Sequence, residues 1–244
     1  MLLEGKKVLV TGGALRVGRA ISQGFARRGA EVLVHYHRSK KEAASLMKEF
    51  KAAGVKATFY QADFSDFKSL EKFSKKVLKD TGGVDILVNS ASAFLPGRSG
   101  KVTESDWDRH MAVNFKAPFF LSQALGPTMK KKGEGRIINI ADLMGLHPAT
   151  TYLAHSLSKS GLFAMTEALA KALAPDVLVT AVCPGPVLAP PGMTKKQKTA
   201  VKKGILVDRW GTPEDVVKTV LFLAESDYAT GTYYRIDGGA RVVN

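Results

Sequence analysis

Short apolar runs alternate with longer helix-patterned segments along most of the 244 residues, and this alternation constrains the fold more than any other feature. Lys7 to Thr11, Glu31 to His35, Lys56 to Gln61, Asp85 to Val88, Arg136 to Ile140 and Val177 to Cys183 are brief and bounded by Gly, Asn, Asp or Pro, the pattern of buried strands. Helix-length segments occupy Val17 to Arg28, Lys40 to Ala53, Asp66 to Thr81, Ser105 to Lys132 and Thr151 to Ala174. Strand, helix, strand repeated in this way requires crossover connections. The sequence therefore predicts an α/β fold, a doubly wound parallel sheet of about seven strands closed by a short strand at Tyr233 to Ile236. No linker or repeat interrupts the pattern, so residues 1–244 read as a single domain. Loops at Ser90 to Glu104 and Pro184 to Thr194 follow strands, which places both at the carboxyl edge where open sheets bind ligands. Ile205 to Thr212 reads as a further loop able to act as a lid.

Composition narrows the function classes. With 45% apolar and 24% charged residues the chain is an ordinary globular protein. The one cysteine, Cys183, excludes a disulfide framework or cysteine-cluster metal site and fits a reducing, cytoplasmic setting. The five histidines show no metal-ligand spacing, so no metal is expected. Met1 to Lys7 has no signal-peptide core, and the prolines at 184, 186, 190 and 191 exclude a membrane helix over Val177 to Thr194. A surplus of 36 basic over 22 acidic residues, net +14, favours anionic ligands. The lysines fall in short scattered clusters without interleaved aromatics, which reads as a solvated surface with no nucleic-acid or membrane partner.

The first strand runs into Thr11-Gly12-Gly13-Ala14-Leu15-Arg16-Val17-Gly18, and a helix follows at once. Glycines at such a junction allow a tight turn and bring backbone amides to a pyrophosphate at a helix N-terminus, the signature of a Rossmann-type sheet. The second strand ends at His35-Tyr36-His37-Arg38-Ser39, where a dinucleotide fold holds the adenosine ribose. A free 2′-hydroxyl calls for a carboxylate there. His35, His37, Arg38 and Ser39 instead offer donors to a 2′-phosphate, so the cofactor is expected to be NADP(H). Asp63 is expected at the adenine edge, and Asn89-Ser90-Ala91-Ser92 against the ribose and nicotinamide.

Thr11-Gly12 with Gly18, Asn89-Ser90-Ala91, Asn114, Lys159, Pro184-Gly185 and Asp237-Gly238-Gly239 together resemble the short-chain dehydrogenase/reductase superfamily over essentially the whole chain. Arg16 in place of the middle glycine, the His-Tyr-His-Arg-Ser run and Asp142 are similar to the pteridine reductase branch, which includes dihydromonapterin reductases. The resemblance implies a homo-tetramer, cofactor contacts at Pro184 and Gly185, and a catalytic set of Asn114, Asp142, the residue at 155 and Lys159. Asn114 would hold a helix kink, with Pro118 marking the irregularity. The superfamily carries Tyr four positions before the lysine; here stands His155.

Reduction of a C=N or C=O bond needs a proton at the heteroatom. Tyrosine serves because a neighbouring lysine lowers its pKa of about 10. An imidazole beside the same ammonium is pushed toward its neutral form, whereas a contact with Asp142 favours imidazolium. Either an Asp142–His155 pair or Tyr152, on the same helical face, is expected to supply the proton. Arg16 is expected on the cofactor phosphates or the substrate, and Phe94 where a flat heterocycle stacks. The function read here is NADPH-dependent reduction of a small, pterin-like substrate. A 3-oxoacyl-type carbonyl reductase and a non-catalytic nucleotide sensor are the alternatives.

Overall fold

A computed structural model describes residues 1–190 and 192–243; Pro191, inside the expected loop Pro184 to Thr194, lies outside them. Seven strands form one sheet: β1 (Lys7–Val10), β2 (Glu31–Tyr36), β3 (Ala57–Gln61), β4 (Ile86–Asn89), β5 (Gly135–Ile140), β6 (Val177–Pro184) and β7 (Thr232–Ile236). Their order is β3-β2-β1-β4-β5-β6-β7, and every pairing is parallel. The order reverses between β1 and β4, which opens a crevice at their carboxyl ends.

Side chains alternate between two buried layers because a strand's period is two. Val8, Val10, Val32, Val34, Ile86 and Val88 pack on one face under α1 (Arg16–Ala26), α2 (Lys40–Ala52) and, later in the chain, Pro213–Glu225. Leu9, Leu33, Leu87, Ile137 and Val179 pack on the other, under α3 (Phe67–Thr81) and two later helices.

The segment expected as one helix from Ser105 to Lys132 is α4 (Glu104–Met111), a π-helical turn at Ala112–Lys116, and α5 (Ala117–Lys131). Pro118 has no N–H to give the Asn114 carbonyl, so the ordinary helical ladder breaks where the kink was expected. The remaining helices are α6 (Leu143–Leu146), α7 (Leu153–Leu173), α8 (Lys195–Lys203), α9 (Pro213–Glu225) and α10 (Ala240–Val243). Helices α8 and α9 were not expected. Each opens on a capping box, Thr194 with Gln197 and Thr212 with Asp215. Cys183 is fully buried at the end of β6, as expected. Among the described residues no helix is long and apolar enough to cross a membrane.

His35 sits on the Leu33 side of β2. Its ring stacks on Phe64 at 3.8 Å and meets Phe73 edge-on. Nδ1 accepts the Gly12 amide at 3.1 Å and Nε2 donates to the Ala62 carbonyl at 3.1 Å, which fixes the neutral tautomer. Burial pushes its pKa from 6.5 to about 4. Between those values the unfolded chain takes a proton that the native ring refuses, so stability falls with falling pH. The loss approaches about 3 kcal/mol once the pH is below the native pKa. Urea unfolding at pH 7 and pH 4 should show this loss in the wild type beyond that in His35→Gln; identical pH dependence in the two proteins contradicts it.

Candidate active site

The turn after β1 is tied down before it reaches any ligand. The Thr11 hydroxyl oxygen accepts the amides of Ser90 at 2.9 Å and Ala91 at 3.0 Å, which joins the loops after β1 and β4. Gly12 has φ +63°, and a Cβ there would lie 2.9 Å from the Ala91 Cα. A Cβ at Gly18 would run into the Gly12 carbonyl oxygen. The first-turn amides of Arg16, Val17 and Gly18 have no intrahelical acceptor, and no acid stands in that turn. These amides and the missing side chains fit a pyrophosphate. Arg16 itself has φ +53°, a left-handed conformation costing about 1–2 kcal/mol for a residue with a Cβ. Its guanidinium donates to the Leu188 carbonyl at 3.1 Å, on the opposite rim.

The structure corrects two cofactor expectations. His35 cannot give its ring to a 2′-phosphate: it is 2% exposed and both nitrogens are engaged within the protein. Asn89 does not face the cleft. Its side chain is buried and donates to Asn139 at 2.9 Å, which donates to Thr166. His35, Tyr36, His37, Arg38, Ser39 and Asp63 all border the cleft, but the His35 ring nitrogens are already taken. His37 Nε2 lies 3.3 Å from the Asp63 carboxylate, whereas the exposed Arg38 guanidinium has no partner among the described residues.

The floor of the cleft is built by β5, the turn after it and the start of α7. Lys159 is 3% exposed and donates to the Ile140 carbonyl at 2.7 Å. Burial pushes its pKa from 10.5 down to about 8. One turn earlier His155 is 1% exposed. Its Nε2 faces Asp142 Oδ2 at 3.3 Å and its Nδ1 faces the Ala93 carbonyl at 3.1 Å. Nδ1 also lies 3.4 Å from the Asn114 amide nitrogen, so the ring is held on both sides by the protein. Asp142 caps α6, accepting the Met144 amide at 2.8 Å, and its side chain is 30% exposed to the cleft. Asn114, fully buried in the π-helical turn, does not line the cleft. It accepts the Ala93 amide at 2.7 Å and donates to the Ala93 carbonyl and to Ser158. Above His155, Phe94 stacks on Tyr152 at 4.6 Å, so one face of the ring expected to take a heterocycle is already covered.

Residues 6–201 match the family model for short chain dehydrogenase. The chain belongs to the short-chain dehydrogenase family. It is an oxidoreductase of the class that works with a nicotinamide cofactor. This short-chain dehydrogenase is 36% identical to the 3-oxoacyl-[acyl-carrier-protein] reductase FabG of Thermotoga maritima, over 98% of the chain and 99% of the relative. Among solved structures it is similar to a blue fluorescent protein from a metagenomic library in complex with NADPH, with TM-score 0.91 and 33% identity over 98% and 99% of the two chains. It is also similar to FolM alternative dihydrofolate reductase 1 from Brucella canis complexed with NADP, with TM-score 0.91 and 30% identity over 99% and 96%.

The cleft of this short-chain dehydrogenase measures about 830 Å³. Pro184 and Gly185 border it, as do Met193 and Trp210, and the Trp210 ring donates to the Lys198 carbonyl at 3.1 Å. Reasoning from sequence missed His110. That ring donates from Nδ1 to the Asp106 carbonyl at 2.6 Å and accepts the Leu95 amide at 3.2 Å, anchoring the Phe94 loop to α4. Burial holds its pKa below the ordinary value. A nitrogen-detected NMR titration should find one lysine, absent from the Lys159→Met spectrum, losing its proton near pH 8; a Lys159 signal titrating above pH 10 contradicts the buried placement.

Proposed function

We propose that this enzyme reduces a pterin-like substrate with NADPH, and that the Asp142–His155 pair supplies the proton. The 3.3 Å contact between a cleft-facing carboxyl and a buried imidazole beside Lys159 carries this reading. The first-turn amides of α1 would hold the pyrophosphate, Arg38 and Ser39 the 2′-phosphate, and Asp63 the adenine edge. Ser90 and Ala91 would flank the ribose. The reduced nicotinamide supplies a hydride to the substrate's C=N carbon.

The protein's own part is to place that carbon and protonate the nitrogen. Asp142 is the pair's exposed member, so its carboxyl passes the proton of His155 Nε2 on to the substrate nitrogen. His155, 1% exposed on the cleft wall, gives that proton up from Nε2. Lys159 keeps a positive charge against the developing negative one, and Asn114 is a positioning residue that fixes Ala93 and, through it, the imidazole. The stacked Phe94 and Tyr152 offer an aromatic wall to a flat ring.

Asp142→Asn should lower kcat at least about a hundredfold and His155→Phe about tenfold or more, with NADPH affinity unchanged. Tyr152→Phe should retain most activity; a Tyr152→Phe enzyme as slow as Asp142→Asn moves the donor to Tyr152. Turnover should fall as the pH rises through about 8, because the Lys159 cation is lost there.

The second reading, a 3-oxoacyl-type reductase, is favoured by the likeness to FabG. NADPH oxidation with a dihydropterin set against a β-ketoacyl thioester separates the two, and oxidation with neither supports a nucleotide-binding role. Trp107, Phe119 and Leu157, exposed by 40%, 40% and 48% on α4, α5 and α7, support self-association. Light scattering should give four times the 26.3 kDa chain mass; a monomer mass contradicts the tetramer.

A further inference from the structure

The adenosine end of the cleft holds a cation that the cofactor motifs do not include. Arg109, half-buried on α4, borders the main cleft together with Arg38 and Asp63. It also borders a second cavity of about 890 Å³, and Arg38 forms part of that wall too. Two elements far apart in sequence, the end of β2 and α4, therefore carry guanidinium groups that border the same two cavities. Among the described residues neither has a hydrogen bond, an ion pair or a ring contact.

Acids stand near without neutralising either group. Glu104 and Asp108 border the second cavity on the same helix as Arg109, and neither pairs with it. Asp63 is taken up by His37 at 3.3 Å and by the Ser65 hydroxyl at 2.6 Å. Burial pushes the Asp63 carboxyl up, but the Ser65 bonds, His37 and the field of Arg109 together hold it below its ordinary value. Lys116, a third cation on the cavity wall, is turned to the Phe67 ring at 4.6 Å. Two like charges facing one space repel until an anion lies between them.

We propose that Arg109 is a specificity residue, which with Arg38 grips the phosphoryl group on the adenosine ribose of NADP(H) from two sides. This rests on the NADP(H) reading above. A planar guanidinium offers paired donors to two phosphate oxygens, and a phosphate dianion has room for two such forks. Arg38 alone would leave the Arg109 charge half-desolvated, with only the field of Asp63 against it.

Calorimetric titration with adenosine 2′,5′-bisphosphate and with 5′-AMP tests this without turnover. Arg109→Gln should weaken the bisphosphate and NADPH about tenfold and 5′-AMP and NADH less than about twofold. Arg109→Lys, which keeps the charge and loses the fork, should fall between. Because the Arg109 guanidinium makes no hydrogen bond or ion pair among the described residues, the free Arg109→Gln protein should melt within about a degree of the wild type, while the rise in Tm on adding NADPH shrinks. Equal losses for both nucleotides, or none, overturn the role of Arg109. If the wild type prefers the bisphosphate and only Arg38→Ala removes that preference, the cofactor reading stands and this one falls. A wild type that holds the two nucleotides equally overturns both.

Discussion

Parallel pairing of all seven strands is the constraint from which the rest of the molecule follows. It puts every strand's carboxyl end on one edge, so residues from 12 to 241 converge on one cleft. It also buries both sheet faces, which demands two separate apolar layers and helices on each side. Backbone amides at that edge are then held by side chains of the loops and strand ends. Thr11, His35, His110 and Asn114 do this by taking backbone amides with their side chains.

The site follows from how little of that polar inventory is free. Lys159 and His155 are 3% and 1% exposed on the cleft wall, and Asp142, with its side chain 30% exposed, is the most open of the set. An imidazole is shorter than a phenol ring with its hydroxyl, so at position 155 it ends beneath the wall formed by Phe94 and Tyr152. Asp142 closes the gap by standing as the cap of α6, a place fixed by backbone geometry more than by packing.

Much of this was legible in the sequence, and what was missed has physical reasons. The sheet, the cradle and the break at Asn114 follow from strand length, glycine spacing and Pro118. His35 was misread although a signal existed: two positions after Leu33 on a strand, it must share Leu33's buried face. Asn89 carried the same kind of signal at a fully buried strand end. Helix α9 was announced by Thr212-Pro213 with Asp215 three residues past the threonine. Helix α8 buries no residue, so no apolar period marks it. Arg109 had no local signal, because the cavity walls it shares with Arg38 depend on how α4 packs in the fold.

The left-handed backbone of Arg16 has a consequence for how the cleft varies. One side chain, standing where glycine would relax the chain, ties the phosphate cradle to carbonyls 172 positions further along. The two rims of the cleft are therefore not independent parts. A change at position 16 retunes the shape of the cradle and the reach of the opposite loop in a single step, so nucleotide grip and access of the second reactant are inherited together.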